Sequence, residues 1–192
     1  KKGRKIRITG GEPLVRKGLP DLVKMLSSIP NIQEISMTTN GIKLSEYAQS
    51  LMNAGLNRVN ISLDTMKPER FKKITRLGIL SDVWEGIHAA EDAGLTPIKL
   101  NFIPMQGIND DEIIDFALLT KTHPWSVRFI ELMKFPDNKS MQDVYFVPAN
   151  KVLDKLSSLG IYPLQESKSP GNGPARYYKI PDSMISIIPH GI

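Results

Sequence analysis

The chain has 192 residues, 41% hydrophobic and 23% charged, a composition that suits a globular protein with a sizeable core and excludes disordered and fibrous classes. Lys and Arg outnumber Asp and Glu by 25 to 20, and the resulting +5 is spread along the chain, which suits an anionic small molecule and does not argue for nucleic acid. Cysteine is absent, so these residues supply no disulfide, thiolate metal ligand or cysteine nucleophile, and no apolar run approaches the ~20 residues of a membrane helix.

Residues 5–9 alternate apolar and polar side chains and form the first predicted strand, which ends at Gly10-Gly11-Glu12-Pro13. Two adjacent glycines at a strand end let the backbone approach a ligand closely. A helical face follows over 19–29, stopped by Pro30, and a second strand over 33–38 runs into Thr38-Thr39-Asn40-Gly41, a turn signal. Ser45 is the expected N-cap of a helix through Ala54, and residues 58–63 are the third strand. A short basic helix over 68–75 precedes a longer one through Ala93, with Ser81 as its expected cap. The fourth strand is read at 97–102. Asn109 and Glu112 have capping-box spacing for a helix to Thr122, and the fifth strand is 126–132.

Ala54-Gly55-Leu56 and Ala93-Gly94-Leu95 each close a helix and lead straight into a strand, as repeated βα units require. Strands alternating with helices imply a parallel sheet with right-handed crossovers. Arg7, Ser36, Asn60, Lys99, Asn101 and Arg128 interrupt those strands. Helices on both faces of a sheet would bury such groups at a cost, whereas a barrel lumen can offer them to a ligand. The expected fold is therefore α/β, a partial (β/α) TIM-type barrel. After Met133 the chain turns polar over 134–145. A helix over 148–159, a short strand over 161–164, a loop over 168–174 and a hairpin formed by 176–180 and 184–188 follow. The expected domains are a barrel over 1–133 and the start of a small α+β module over 134–192.

Barrel enzymes build their sites at the carboxyl ends of the strands. Here those ends are Gly10-Gly11-Glu12, Thr38-Thr39-Asn40, Ser62-Leu63-Asp64, Asn101 and Glu131-Leu132-Met133. Arg7, Lys99 and Arg128 can each reach the lumen or point outward with the stem packed and the head in water. All three together, beside glycine- and hydroxyl-rich strand ends, favour a site for a phosphorylated ligand. Glu131 is also in reach of Arg128, and Met133 suits either the core or a cofactor contact. His88, His123 and His190 show no metal-ligand spacing, and no nucleophile–base pair suggests hydrolysis.

The string Lys5-Ile6-Arg7-Ile8-Thr9-Gly10-Gly11-Glu12-Pro13-Leu14 resembles the Gly-Gly-Glu segment of radical SAM enzymes. Together with Thr38-Thr39-Asn40-Gly41, Arg58-Val59-Asn60-Ile61-Ser62-Leu63-Asp64, Lys99-Leu100-Asn101, Gly107-Ile108-Asn109-Asp110-Asp111-Glu112, Arg128-Phe129-Ile130-Glu131-Leu132-Met133 and Gly171-Asn172-Gly173-Pro174-Ala175-Arg176-Tyr177-Tyr178, it is similar to the MoaA family of GTP 3′,8-cyclases of molybdenum cofactor biosynthesis. The resemblance covers nearly the whole chain. It implies a [4Fe–4S] cluster that cleaves S-adenosylmethionine, a 5′-deoxyadenosyl radical that takes hydrogen from the ribose of GTP, and a second [4Fe–4S] cluster that helps hold the guanine. It further implies that Gly11, Ser62, Asn101 and Met133 meet S-adenosylmethionine and that Arg7, Thr38, Lys99 and Arg128 meet GTP. An electron donor, a cytoplasmic setting and room for a homodimer belong to the same expectation.

The chain departs from that family in one respect: the family's cluster cysteines are missing. A barrel that starts at its second strand also leaves an open edge, which proteins avoid. The expectation is a middle segment of a longer enzyme, inactive by itself. The alternatives are a cluster-free nucleotide-binding barrel, and a different radical SAM enzyme with a non-nucleotide substrate.

Overall fold

The computed structural model describes residues 4–76, 78–133, 144–163, 176–180 and 184–188. It contains two compact units, Lys1–Lys99 and Leu100–Ile192. In the first, β1 (Arg4–Ile8), β2 (Ile32–Thr39) and β3 (Arg58–Ser62) run parallel in that order. Arg7 lies opposite Ser36, Ser36 opposite Arg58, and Thr38 opposite Asn60. Side chains alternate along a strand, so these residues share one face with Lys5 and Glu34. The other face carries Ile35, Met37, Val59 and Ile61, all buried.

Helices α1 (Leu19–Ser27), α2 (Leu44–Ala54) and α4 (Leu80–Asp92) supply apolar side chains to this unit's core, among them Leu19, Leu51, Val83 and Ile87. Each such side chain contributes ~1.5–3 kcal/mol when taken out of water. Gly55 ends α2 with φ +105, its N–H reaching the carbonyls of Leu51 and Met52, as its place before β3 predicts. A Cβ there would meet Ser27 Cβ at 2.7 Å. Helix α3 (Pro68–Thr75) has the predicted bounds and buries Phe71.

The caps differ from expectation. Helix α2 begins at Leu44 and α4 at Leu80, so Ser45 and Ser81 lie one residue inside and neither helix has a side-chain cap. Leu44 is fully buried and Leu80 nearly so. Burying those leucines in the first turn outweighs the ~1 kcal/mol that a serine cap offers.

The second unit opens within β4 (Lys99–Phe102), which starts two residues later than predicted because Pro97 has no N–H for a ladder. Its strands follow the order β4, β5 (Ser126–Ile130), β8 (Met184–Ile188), β7 (Arg176–Lys179), β6 (Tyr162–Pro163). The hairpin pairing of β7 with β8 is as predicted, and β8 also runs parallel to β5, with Arg128 opposite Ser186. That pairing ties β5 to the C-terminal strands, and compactness divides the chain at 99/100 while the polarity change falls at 133.

Helix α5 (Ile113–Thr122) follows a 3-10 turn at Asp110–Glu112 in place of the expected capping box. Asn109 is fully buried instead. Its Oδ1 accepts from Met105 N at 2.6 Å and its Nδ2 donates to Ile103 O at 3.0 Å. Phe116 of α5 stacks on Phe102 at 4.1 Å, and Phe129 meets Phe102 edge-on. Helix α6 (Ala149–Leu156) buries Val152 and Leu156, and a 3-10 turn at Ser157–Leu159 continues it. Of the polar loop predicted over 134–145, residues 134–143 lie outside the described residues, as do the loop over 168–174 and the turn at 181–183.

Candidate ligand site at the carboxyl ends of the strands

At the carboxyl ends of β1, β2 and β3 an open cleft of about 370 Å³ is lined by Thr9, Gly10, Gly11, Glu12, Thr38, Thr39, Asn40 and Ser62. Gly10 has φ +148, a conformation open to glycine and strained for other residues. A Cβ on Gly10 or Gly11 would meet nothing within 4 Å, so the missing side chains relieve no internal clash.

Glu12 fixes the shape of this cleft. Its Oε1 accepts from Leu14 N at 3.0 Å and from Thr39 Oγ1 at 2.6 Å, and its Oε2 accepts from Asn40 N at 2.7 Å. Thr39 is buried, and its hydroxyl also accepts from Gly41 N at 3.1 Å. One carboxylate therefore holds the glycine turn against the end of β2. Behind that end, Gly86 of α4 packs so closely on the Gly41 carbonyl that a Cβ there would collide with it. The sequence marked both strand ends as polar clusters but gave Glu12 no role. Its spacing from Thr39 becomes a contact only once β1 and β2 pair.

Below the cleft the same sheet face is charged. Glu34 lies 3.1 Å from Lys5 Nζ and takes two hydrogen bonds from Arg58, at 2.6 and 2.9 Å. Burial opposes ionisation of Glu34, but the hydrogen bonds and charges of Lys5 and Arg58 outweigh it, holding the carboxyl below its ordinary range. Arg58 was not singled out as a candidate, although its place two residues before Asn60 puts both on this face.

Of the predicted site residues in the first unit, Gly11, Thr38 and Ser62 come together around the cleft. Arg7 is exposed on the same face of β1, two residues before Thr9, and does not line the cleft; Lys99 is half-buried at the start of β4. In the second unit Arg128 Nη1 donates to Asn101 Oδ1 at 3.5 Å. Glu131 accepts from Ala149 N at the start of α6, a favourable place for an acid. Met133 is 57% exposed, which rules out the core alternative.

The Gly10–Gly11 opening and the hydroxyl-lined cleft fit a polar organic ligand. An iron–sulfur cluster does not fit these residues, because no thiolate exists in the chain. Among the described residues no group of three His, Cys, Asp or Glu side chains is placed to hold a metal ion. None of their helices is long and apolar enough to cross a membrane.

The sequence signature of the radical SAM superfamily matches residues 1–120. The chain belongs to the radical SAM superfamily. Among its curated relatives, the GTP 3′,8-cyclase of Pelotomaculum thermopropionicum is 50% identical over 94% of this chain and 55% of its own length. That of Moorella thermoacetica is 50% identical over 92% and 54%, and that of Heliobacterium modesticaldum 45% identical over 96% and 56%. The chain thus spans about 55% of the length of these relatives. Two solved structures share its fold. Coproporphyrinogen III oxidase from Escherichia coli, a radical SAM enzyme, has a TM-score of 0.55 at 17% identity, covering 80% of this chain and 38% of that one. TYW1 with a lysine–pyruvate adduct bound has a TM-score of 0.57 at 18% identity, covering 86% and 54%. The radical SAM α/β fold expected from the sequence is the one observed.

Proposed function

We propose that this chain carries the ligand-binding part of a radical SAM GTP 3′,8-cyclase, which converts GTP to a cyclic pterin precursor in molybdenum cofactor biosynthesis. Residues 1–133 form its barrel portion and residues 134–192 begin its C-terminal module. The observation that carries this reading is that Thr38 lines the same cleft as Gly11 and Ser62. A residue expected at GTP thus neighbours two expected at S-adenosylmethionine. The curated relatives bearing the cyclase name support the choice of substrate.

In this reading Gly11 and Ser62, with Asn101 and Met133, receive S-adenosylmethionine, while Arg7, Thr38, Lys99 and Arg128 receive GTP. S-adenosylmethionine, cleaved with one electron from a donor outside these residues and releasing methionine, would supply the hydrogen-abstracting chemistry needed at the GTP ribose. The chain's own residues orient the two ligands: open glycine backbone lets one approach the strand end, and cations on the strands neutralise a triphosphate. No electron-transfer step is assigned to these residues, which offer a cluster no ligand. The enzyme takes electrons from a separate donor and works in the cytoplasm.

The test is Lys99→Ala and Arg128→Ala in the full-length enzyme. Loss of a charge-assisted contact is expected to lower kcat/KM for GTP by about 10- to 100-fold. Unaltered turnover in both variants rejects GTP as the substrate of this site.

A further inference from the structure

The polar face of the first unit carries a chain of linked groups that, apart from Thr38, the ligand assignments leave unused. Lys5 and Arg58 hold Glu34 from either side. Arg58 extends past Glu34, and its Nη1 donates to Asn60 Oδ1 at 3.1 Å. Asn60 is 1% exposed, and its Nδ2 donates to Thr38 Oγ1 at 3.4 Å. Thr38 is the member that reaches the cleft.

The donor–acceptor order along this chain has a fixed direction. A guanidinium has only donors, so the Asn60 atom facing it must be the carbonyl oxygen. The amide nitrogen is thereby turned to Thr38, whose oxygen accepts. A hydroxyl that accepts from a neighbour keeps its own proton for another partner.

We propose that Arg58 and Asn60 are positioning residues that set the Thr38 hydroxyl as a hydrogen-bond donor toward the cleft, so that the GTP atom it meets is a hydrogen-bond acceptor. This rests on the reading of Thr38 as a GTP contact. Glu34 and Lys5 anchor the far end by holding the guanidinium in place.

The experiment is a double-mutant cycle on the full-length protein, with GTP affinity measured by calorimetry and folding by thermal melts. Thr38→Val is expected to weaken GTP binding about tenfold, while Thr38→Ser retains it. Asn60→Asp keeps the shape but replaces the donor with an acceptor, so it draws the Thr38 proton away from the cleft. On its own it is expected to weaken GTP binding about tenfold, and less than twofold further in the Thr38→Val background. Equal losses in both backgrounds would mean that the new charge acts on GTP directly, and would overturn the inference. Unchanged affinity in Thr38→Val overturns both this inference and the assignment of Thr38 to GTP. If Asn60→Asp does not fold, Arg58→Lys reads the same chain, because an ammonium keeps the charge beside Glu34 but lacks the fork that spans to Asn60. A threefold loss that vanishes over Thr38→Val is then expected, and a loss that persists there overturns the proposal.

Discussion

The carboxylate of Glu12 accepts the hydroxyl proton of Thr39 at 2.6 Å, joining the turn after β1 to the end of β2. The same carboxylate takes two backbone N–H groups, from Leu14 and Asn40. Replacing it by Ala leaves the buried Thr39 hydroxyl without its acceptor. Glu12→Ala should lower the unfolding free energy by about 2 kcal/mol, read from urea midpoints at constant slope. Glu12→Gln, which keeps one acceptor oxygen, should lose less.

The two glycines beside it should behave differently. Gly10 has a backbone angle that L side chains rarely adopt, whereas Gly11 has no such constraint, and neither position is crowded. Gly10→Ala should cost about 1 kcal/mol of stability through backbone strain. Gly11→Ala should melt within about 0.5 kcal/mol of the parent yet bind S-adenosylmethionine more weakly, because Gly11 lines the cleft proposed to receive that ligand. Intact affinity in Gly11→Ala would detach this residue from the ligand.

Acid sensitivity follows from two carboxyls. Glu34, despite burial, is held below its ordinary range by Lys5 and Arg58. Asp110, despite burial, is lowered by Lys155 and by the Gly107 N–H, at 3.0 and 2.8 Å. Because both folded values lie below the unfolded ones, each pair contributes its full stability above the unfolded carboxyl range near pH ~4. That contribution is lost as pH falls through the folded values. Glu34→Gln should therefore be less stable than the parent at pH 7, with the gap closing under acid conditions. A gap that stays constant across urea melts from pH 7 to pH 2 would contradict this.

Close packing of α4 on the turn after β2 gives a fourth expectation. Gly86→Ala drives a methyl group into the Gly41 carbonyl and crowds Leu44 Cβ at 3.0 Å. A loss of about 2 kcal/mol or more in thermal or urea unfolding is expected. GTP affinity should fall with it, because Thr38 lies at the end of β2, next to the turn that has to move.

The parallel strands were legible in the sequence because their alternation is regular and their turns carry glycine. Polar residues such as Ser36 and Asn60 mark the strand face that also carries Arg7, Glu34 and Arg58. Cap positions were misread at Ser45, Ser81 and Asn109, where burial of Leu44, of Leu80 and of Asn109 itself decided the local geometry. The Glu12–Thr39 contact, the Arg58 clamp and the β5–β8 pairing join residues 27, 24 and 58 positions apart in the chain, and strand register alone brings them together. Periodicity reports which face a residue occupies. It does not report which neighbour on that face will be met.

The two-sidedness of the β1–β3 sheet also bears on how such a protein can diversify. Point replacements at Ser36, Thr38 or Asn60 change the polar side of the sheet and leave the buried Ile35, Met37 and Val59 of the other side in place. A one-residue insertion inside β2 has the opposite outcome: every later side chain changes sides, greasy residues move to the polar side and hydroxyls to the buried one. Variation of the polar side of this scaffold is therefore reached by substitution within strands of unchanged length, and gaps in a lineage should gather in the connecting turns.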